Sequence, residues 1–284
     1  MAGWTTLVQC ETLAGALPQP GLRLLDCRAS LLDKAHGERA WAQSHLPGAV
    51  YAHLERDLSD MRKQGEGRHP WPAAADFIAT LGRWGISPET QVVAYDDADG
   101  AYAARAWCLL QLLGHEQVAV LDGGWQRWNA LGLPVSSAPV QVDVIDYGAA
   151  GFDPSRLLDA PAVASHLESG GLLVDARAAV RFRGDEEPID VAAGHVPGAV
   201  NRPYARNIEE GRFKAAEALA GEFRALLAGR QPDDVAVMCG SGVTACHHLL
   251  AMAHAGLPGA KLFTGSWSGW IADPSRPIAT GEAT

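Results

Sequence analysis

The chain has 284 residues, more than the roughly 100–200 residues of one compact domain, which favours two domains. Hydrophobic residues make up 48% of it and charged residues 20%, as in ordinary globular proteins. Its formal net charge is -10 and no stretch is rich in Lys and Arg, which argues against nucleic acid as a partner. No stretch has the length of a membrane span, and the N-terminus lacks the basic start of a signal peptide.

An odd number of cysteines is spread widely along the chain. Dispersed cysteines in a chain of this size are typical of reduced thiols rather than of a disulfide framework. Together with the missing signal peptide, they predict a cytoplasmic protein without a membrane partner. The five are Cys10, Cys27, Cys108, Cys239 and Cys246.

In the first half of the chain, short apolar strands alternate with helical runs. Residues 22–28 form a predicted strand that ends in an Asp-x-Arg turn. A short helix predicted at 38–44 then leads into a His-x-Pro-Gly-Ala-Val element at 45–50. Apolar periodicity also predicts helices at 74–84 and 103–113.

The second half repeats landmarks of the first half in the same order. Four matches in one order are hard to obtain by chance, so they indicate a tandem duplication. The matched pairs are residues 22–28 with 172–177, 45–50 with 195–200, 92–96 with 235–239, and 123–125 with 265–267.

Strands that alternate with helices predict an α/β fold with a parallel sheet flanked by helices in each half. Pro, Gly and small residues interrupt the pattern at 136–154, which we interpret as a linker between domains at 1–140 and 155–284. Ligands of such sheets bind beyond the carboxyl ends of the strands, where Asp96 and Cys239 both fall.

The Asp-x-Arg turns and the His-x-Pro-Gly-Ala elements occur in both halves. An Asp after a strand commonly caps the following backbone, and Pro-Gly is typical of turns. Because Cys239 occurs in one half only, elements present in both are expected to be scaffold rather than catalytic.

The loop of residues 239–244 joins a predicted strand at 235–238 to a helix that starts near Ala245. Its six backbone N–H groups and the helix N-terminus could stabilise a sulfur anion at Cys239. Asp96 holds the matching position in the first half and suits a helix cap, not a soft nucleophile. We therefore predict that Cys239 is a nucleophile, the alternative being a buried cysteine in a glycine-containing turn.

Several cysteine chemistries do not fit this loop. A cysteine phosphatase needs an arginine six residues after the cysteine, where this chain has Ala245. A papain-like protease carries its cysteine on a helix. Cys246 and His247 are adjacent on the predicted helix and point in different directions, so we expect no metal. Sulfur transfer fits a soft nucleophile that carries a group.

These features together resemble the two-domain rhodanese-type sulfurtransferases, over about residues 5 to 275. The loop Cys-Gly-Ser-Gly-Val-Thr at 239–244 is similar to that of the 3-mercaptopyruvate branch. The resemblance implies two tandem rhodanese-like domains and a loop, Gly240, Ser241, Gly242, Val243 and Thr244, that binds the substrate. It also implies that Cys239 takes sulfur from 3-mercaptopyruvate as a persulfide, releases pyruvate and needs no cofactor.

The resemblance also implies further site residues. Arg181, in Arg-Phe-Arg-Gly, matches the arginine that binds the donor's carboxylate. This branch usually has a second arginine before the Gly-His, but residues 185–193 contain none, and Arg202 is the substitute that the sequence offers. Glu55 and His69 match an acidic residue and a histidine that assist the carbonyl and proton chemistry with Ser241.

Three functions therefore stay open at this point. The first is sulfur transfer from 3-mercaptopyruvate to a thiol, thioredoxin or cyanide. The second is a thiosulfate:cyanide sulfurtransferase, which the uncharged loop disfavours because thiosulfate is a dianion that gains from charged donors. The third is a non-catalytic carrier that receives a persulfide from a partner and passes it on.

Overall fold

The computed structural model describes residues 3–17 and 19–282, which fall into two compact units. The first unit runs to Ser59 and continues over Pro72–Asp153 and Glu210–Arg212. The second unit comprises Asp60–Trp71, Pro154–Glu209 and the residues from Phe213 onward. The chain thus contributes a short stretch to the second unit before it completes the first.

Five parallel strands form the sheet of the first unit: β1 (Leu7–Gln9), β2 (Leu22–Asp26), β3 (Val50–Tyr51), β4 (Gln91–Tyr95) and β5 (Val118–Asp122). Their order in the sheet is β1-β5-β4-β2-β3. The central strand β4 is buried along its whole length. An uninterrupted apolar run of this kind is typical of a parallel strand that is covered on both faces.

The helices of the first unit follow the predicted alternation with the strands. The runs predicted at 74–84 and 103–113 are confirmed as helices α3 and α4, each ending one residue earlier than predicted. The helices are α1 (Cys10–Ala16), α2 (His36–Gln43), α3 (Ala74–Arg83), α4 (Ala103–Leu112) and α5 (Gly124–Ala130). The largest buried side chains of their shared core include Trp128, Tyr95 and Leu13.

The second unit repeats this arrangement. The strands of its sheet are β6 (Leu157–Leu158), β7 (Leu172–Asp175), β8 (Ala199–Asn201), β11 (Val235–Met238) and β12 (Lys261–Phe263). A small separate pair consists of β9 (Ile208–Glu209) and β10 (Arg212–Phe213). The parallel sheet has the order β6-β12-β11-β7-β8, which matches the first unit strand for strand. The predicted duplication is confirmed at the level of topology.

The helices of the second unit are α6 (Ala160–Glu168), α7 (Ala179–Arg183), α8 (Ala216–Leu227), α9 (Ala245–His254) and α10 (Ser266–Trp270). Asp159 caps α6 by accepting the Ala162 N–H at 2.9 Å, and Pro161 lies in the first turn, where no N–H partner is required. Phe182, Trp267 and Trp270 pack in the core of this unit.

A buried ion pair follows the same strand in each unit. Asp26 at the end of β2 accepts from Arg28, with Nη2 and Oδ2 2.5 Å apart, and Asp175 at the end of β7 accepts from Arg177 at 2.7 Å. Each guanidinium also donates to the carbonyl oxygen that precedes the His-x-Pro-Gly-Ala element, at 2.7 Å in both units. The Asp-x-Arg turns are therefore scaffold, as predicted.

The same guanidinium groups also contact the tryptophan of the repeated Gly-x-Trp segment. Arg28 lies over the ring of Trp125 at 4.1 Å, and Arg177 lies over that of Trp267 at 4.7 Å. A cation over an indole ring adds an electrostatic attraction to the packing. In each unit, one arginine thus contacts the end of the strand, the turn that follows it and the Gly-x-Trp segment.

The two glycines of the His-x-Pro-Gly-Ala elements explain the motif. Gly48 has φ +80° and Gly198 has φ +84°, and in each the following N–H donates back across the turn at 2.9 and 3.0 Å. Proline followed by a left-handed residue is the sequence of a type II turn.

The alignment of Asp96 with Cys239 is confirmed by backbone hydrogen bonds. The Trp125 N–H donates to the Asp96 carbonyl at 2.8 Å, and the Trp267 N–H donates to the Cys239 carbonyl at 2.9 Å. Both residues thus begin the loop that leaves the central strand.

In the first unit this loop binds a carboxylate of its own. The Asp96 side chain is buried and accepts backbone N–H groups at 2.7–2.9 Å, from Ala98, Gly100, Tyr102 and Ala103. A loop of this geometry is therefore a site for a negative charge. Asp96 acts as a cap, as predicted.

The state of the cysteines and the length of the helices match two expectations from the sequence: reduced thiols and no membrane-spanning segment. All five cysteines are buried and none forms a disulfide. Among residues 3–17 and 19–282, every helix is too short or too polar to cross a membrane.

We predict that Asp96→Ala lowers the free energy of unfolding by on the order of 3 kcal/mol, because buried N–H groups lose their acceptor. Urea denaturation monitored by circular dichroism measures the change. The control is Asp97→Ala, which removes a partly exposed pair with His36 and should change stability by less than about 1 kcal/mol. Equal effects of the two variants would contradict the prediction.

Candidate active site

Cys239 is the first residue after β11, and residues 239–244 lead from it into α9. The cysteine is buried, with 1% of its surface exposed. Gly242 has φ +77°, which a residue with a Cβ rarely adopts, so the curl of the loop depends on this glycine. The first turn of α9 has no acidic residue, so its N-terminus is available to an anion at Cys239.

The start of α10 fixes the backbone of the cysteine. The Cys239 N–H donates to Ser266 Oγ at 3.0 Å, and the Ser268 N–H donates to the Gly240 carbonyl at 2.9 Å. The expectation that all six loop N–H groups surround the sulfur is therefore wrong for Cys239, whose N–H is bound to Ser266. Ser266 has φ +51°, a strained value for a serine, in a position where its hydroxyl holds the nucleophile.

Two guanidinium groups lie against Gly240, the neighbour of the cysteine. A Cβ on Gly240 would be 2.9 Å from Arg68 Nη2 and 3.6 Å from Arg181 Nη1. Arg181 therefore lies beside the loop, where the sequence predicts it. Arg68 comes from the Asp60–Trp71 segment of the same unit.

Two carboxylates hold these guanidinium groups from the other side. Glu187 Oε1 accepts from Arg181 Nη2 at 2.7 Å. Asp190 bridges the pair: its Oδ2 accepts from Arg181 Nη2 at 3.0 Å and its Oδ1 accepts from Arg68 Nη1. Burial lowers the pKa of Arg68, and negative charge at Cys239 opposes that shift. The guanidinium keeps its charge, because the ordinary pKa of arginine is so high.

His69 and Ser241 are in contact, as the resemblance implies. His69 Nδ1 is 2.8 Å from Ser241 Oγ, and both residues are buried. When Nδ1 carries the proton, it donates to Ser241 Oγ and leaves the serine's own hydroxyl proton for a further acceptor beside the cysteine loop. Their chemical role stays a prediction.

Arg202 does not substitute for a second arginine beside Arg181, and that expectation is corrected. Its guanidinium is buried, binds Glu222 Oε2 at 2.8 Å and also contacts Asn207 Oδ1. It lies 4.3 Å over the ring of Phe223. An arginine so fully engaged stabilises the core and is not free to bind a substrate.

Glu55 belongs to the first unit, where its carboxylate pairs with Lys34 at 2.8 Å. Its backbone N–H donates to His53 Nδ1 at 3.1 Å. Its role with Ser241 stays a prediction.

The residues that follow the loop on α9 are part of the core. The Cys246 thiol donates to the Gly242 carbonyl at 3.3 Å. Asn207 Nδ2 donates to the Nδ1 atoms of His247 and His248, at 2.9 and 3.0 Å. Within the described part of the chain, no cluster of three or more His, Cys, Asp or Glu has the arrangement of a metal site.

Arg68 was missed by sequence reasoning, although it directly precedes His69. Gly67 has φ +95°, and the Arg68 N–H donates to Ser268 Oγ at 3.0 Å, so this segment is anchored to α10. The signal available was the segment Gly67-Arg68-His69 itself, in which a basic residue adjoins a candidate site residue.

Comparison with known proteins now decides the family. A model of the rhodanese-like domain matches the chain twice, over residues 10–131 and 159–273. This chain belongs to the rhodanese family. The predicted fold, two tandem rhodanese-like domains of the α/β class, is confirmed.

Individual rhodanese-family relatives are similar over most of their length. A Pseudomonas aeruginosa protein named "Probable 3-mercaptopyruvate sulfurtransferase" is 47% identical over 280 residues, covering 97% of this chain and 98% of the relative. A Mycobacterium tuberculosis protein, provisionally named as a thiosulfate sulfurtransferase, is 40% identical and covers 98% of both chains. The 3-mercaptopyruvate sulfurtransferase from Leishmania major has a TM-score of 0.82 at 28% identity, over 93% of this chain and 73% of that one. The predicted enzyme class, sulfurtransferase, is confirmed.

We predict that protonation of His248 limits the acid stability of the catalytic loop's helix. Burial, with a smaller contribution from Arg202, lowers the pKa of His248 from its ordinary 6.5 to about 3. The unfolded chain takes up a proton near pH 6.5 and the folded chain does not, so this stability is complete above pH 6.5 and is lost as the pH falls toward 3.

The expected loss is about 1.4 kcal/mol per pH unit between pH 6.5 and pH 3. Urea denaturation at several pH values measures it, and His248→Gln should flatten the dependence. His254→Gln, at the less buried end of the same helix, is the matched variant that shows the effect of losing an imidazole elsewhere on α9. An unchanged slope in His248→Gln would contradict the prediction.

Proposed function

We propose that this chain transfers the sulfur of 3-mercaptopyruvate to a thiol, thioredoxin or cyanide acceptor in the cytoplasm. The Cys239 thiolate attacks the donor's sulfur, so an S–S bond forms and the C3–S bond breaks. The electron pair of that bond passes to pyruvate as its enolate, which takes a proton at C3. The acceptor then attacks the outer sulfur of the persulfide and restores the thiolate.

The observation that carries this proposal is Arg181 beside Gly240, next to a buried cysteine in a loop without charged side chains. A guanidinium recognises a carboxylate through paired N–H donors. The N-terminus of α9 can stabilise the sulfur anion, and Asp96 in the first unit is the internal analogue of such an anion.

The contact between His69 and Ser241 supports a second part of the proposal. A serine hydroxyl oriented by a histidine can donate to the donor's carbonyl oxygen as negative charge develops there. The pair can also supply the proton that the enolate takes. Glu55 is kept as a third candidate for this chemistry.

In this scheme the second domain, 155–284, carries the nucleophilic cysteine. The first domain, 1–140, is non-catalytic in the sense that it has no nucleophile of its own, although its sequence supplies His69. The reaction uses no cofactor. Gly240, Ser241, Gly242, Val243 and Thr244 bind the donor through their backbone.

A thiosulfate sulfurtransferase is the second candidate function. The presence of two guanidinium groups at Gly240 favours it, since a dianion gains from both, and a relative at 40% identity is provisionally named as one. A non-catalytic persulfide carrier is the third candidate, and it predicts no turnover with either donor.

We predict that kcat/KM with 3-mercaptopyruvate exceeds kcat/KM with thiosulfate, both measured with cyanide as acceptor. Cys239→Ser should reduce turnover by about 1,000-fold or more, because an alcohol is not ionised at neutral pH. Mass spectrometry after addition of the donor alone should show one added sulfur atom, on Cys239. Cys246→Ser, which alters a core thiol on the adjoining helix, is the control and should retain activity.

Each alternative has its own outcome. A preference for thiosulfate selects the second candidate function. Absence of turnover with both donors, with a persulfide accepted from another protein, selects the carrier. Turnover that survives Cys239→Ser contradicts all three.

We predict that Ser241→Ala and His69→Gln each lower kcat with 3-mercaptopyruvate by about 100-fold, and that the double variant loses little more because the two act as one unit. Steady-state kinetics of the three variants measure this. Ser268→Ala removes the hydroxyl that accepts the Arg68 N–H and anchors the segment with His69, so it measures how much loss comes from displaced backbone alone. Additive losses in the double variant would contradict a coupled pair.

A further inference from the structure

The site contains a cation that the proposed function has not used. Arg68 lies in the Asp60–Trp71 segment, and its Nη2 approaches the Cβ position of Gly240 more closely than either Arg181 nitrogen does. Residues 185–193, which flank Arg181, supply carboxylates and no basic side chain. Arg68 is therefore the second source of positive charge at this loop.

Each guanidinium has one end bound and one end open. Arg68 Nη1 and Arg181 Nη2 are bound to Asp190, and Arg181 Nε and Nη2 are bound to Glu187. Among residues 3–17 and 19–282, no side chain or backbone group accepts from Arg68 Nη2 or Arg181 Nη1, the two atoms that face Gly240. The open donors thus converge beside Cys239.

The spacing of the two guanidinium groups fits one carboxylate. Asp190 places one oxygen on Arg68 and the other on Arg181, so a single carboxyl group spans the pair on its bound side. A second carboxylate can be bound in the same way by the open ends. Asp190 and Glu187 also compensate part of the positive charge, which allows two arginines to lie close together without a bound anion.

We propose that Arg68 binds the carboxylate of the sulfur donor together with Arg181, and so determines selectivity for donors that carry a carboxylate. This inference rests on the proposed function. In 3-mercaptopyruvate the carboxylate and the sulfur are separated by two carbon atoms, so one small molecule can contact the arginines at Gly240 and the thiolate at Cys239. Arg68 binds the substrate and takes no part in bond breaking.

The test compares two donors and three variants. The donors are 3-mercaptopyruvate and mercaptoacetone, which has the same ketone and thiol but no carboxylate. The variants are Arg68→Gln, Arg68→Lys and the control Arg62→Gln, which removes a more exposed arginine of the same segment that pairs with Asp60. Thermal unfolding by circular dichroism verifies that each variant is folded.

We expect Arg68→Gln to raise KM for 3-mercaptopyruvate about tenfold to a hundredfold, the usual worth of a hydrogen bond to a charged group, with kcat changed less than about threefold. Its kinetics with mercaptoacetone should be unchanged, so the preference for the carboxylate donor falls by the same factor. Arg68→Lys, which keeps the charge but offers no planar pair of donors, should lie between wild type and Arg68→Gln. Arg62→Gln should match wild type.

Two results overturn the inference. One is an unchanged KM for 3-mercaptopyruvate in a folded Arg68→Gln. The other is an equal loss with both donors, which would assign Arg68 a structural role. In both cases the wild-type enzyme still turns over 3-mercaptopyruvate and the proposed function stands. Failure of the wild-type enzyme with that donor refutes the proposed function and, with it, this inference.

Discussion

A place for negative charge at the end of the central strand is the constraint on which both halves of this fold depend. In the first unit the backbone N–H groups after β4 bind the Asp96 carboxylate and the loop is complete without a ligand. In the second unit the matching residue is Cys239, which occupies the same position at the start of the loop. One backbone geometry thus serves stability in one half and reactivity in the other.

The duplication separates what the scaffold requires from what the chemistry requires. The pairs Asp26–Arg28 and Asp175–Arg177 have the same geometry and the same contacts to a tryptophan ring, so they maintain the strand end in both units. The differences lie in the loop and around it. Gly124 of the first unit corresponds to Ser266 of the second, and both have positive φ, but the serine adds a hydroxyl that holds the nucleophile.

Local patterns made the fold and the centre of the site predictable. Strand and helix alternation, the repeated turns and the loop at 239–244 are contained within short stretches, and the family resemblance added Arg181 and the contact of His69 with Ser241. Arg68 and the true role of Arg202 could not be found in this way. Both depend on which side chains meet across long sequence separations, such as Arg68 with Asp190 and Arg202 with Glu222.

The segment Asp60–Trp71 lies in the second unit although the chain around it forms the first unit, and this limits how independently the two repeats can vary. Residues 60–71 belong by sequence to the first repeat, yet His69 and Arg68 contact Ser241 and Asp190 of the second. A fragment that begins after the linker would carry the nucleophile without these partners. The repeats are therefore not interchangeable modules: a substitution at Arg68 or His69, in the first repeat by sequence, alters contacts of the loop that carries Cys239 and of the residues beside it.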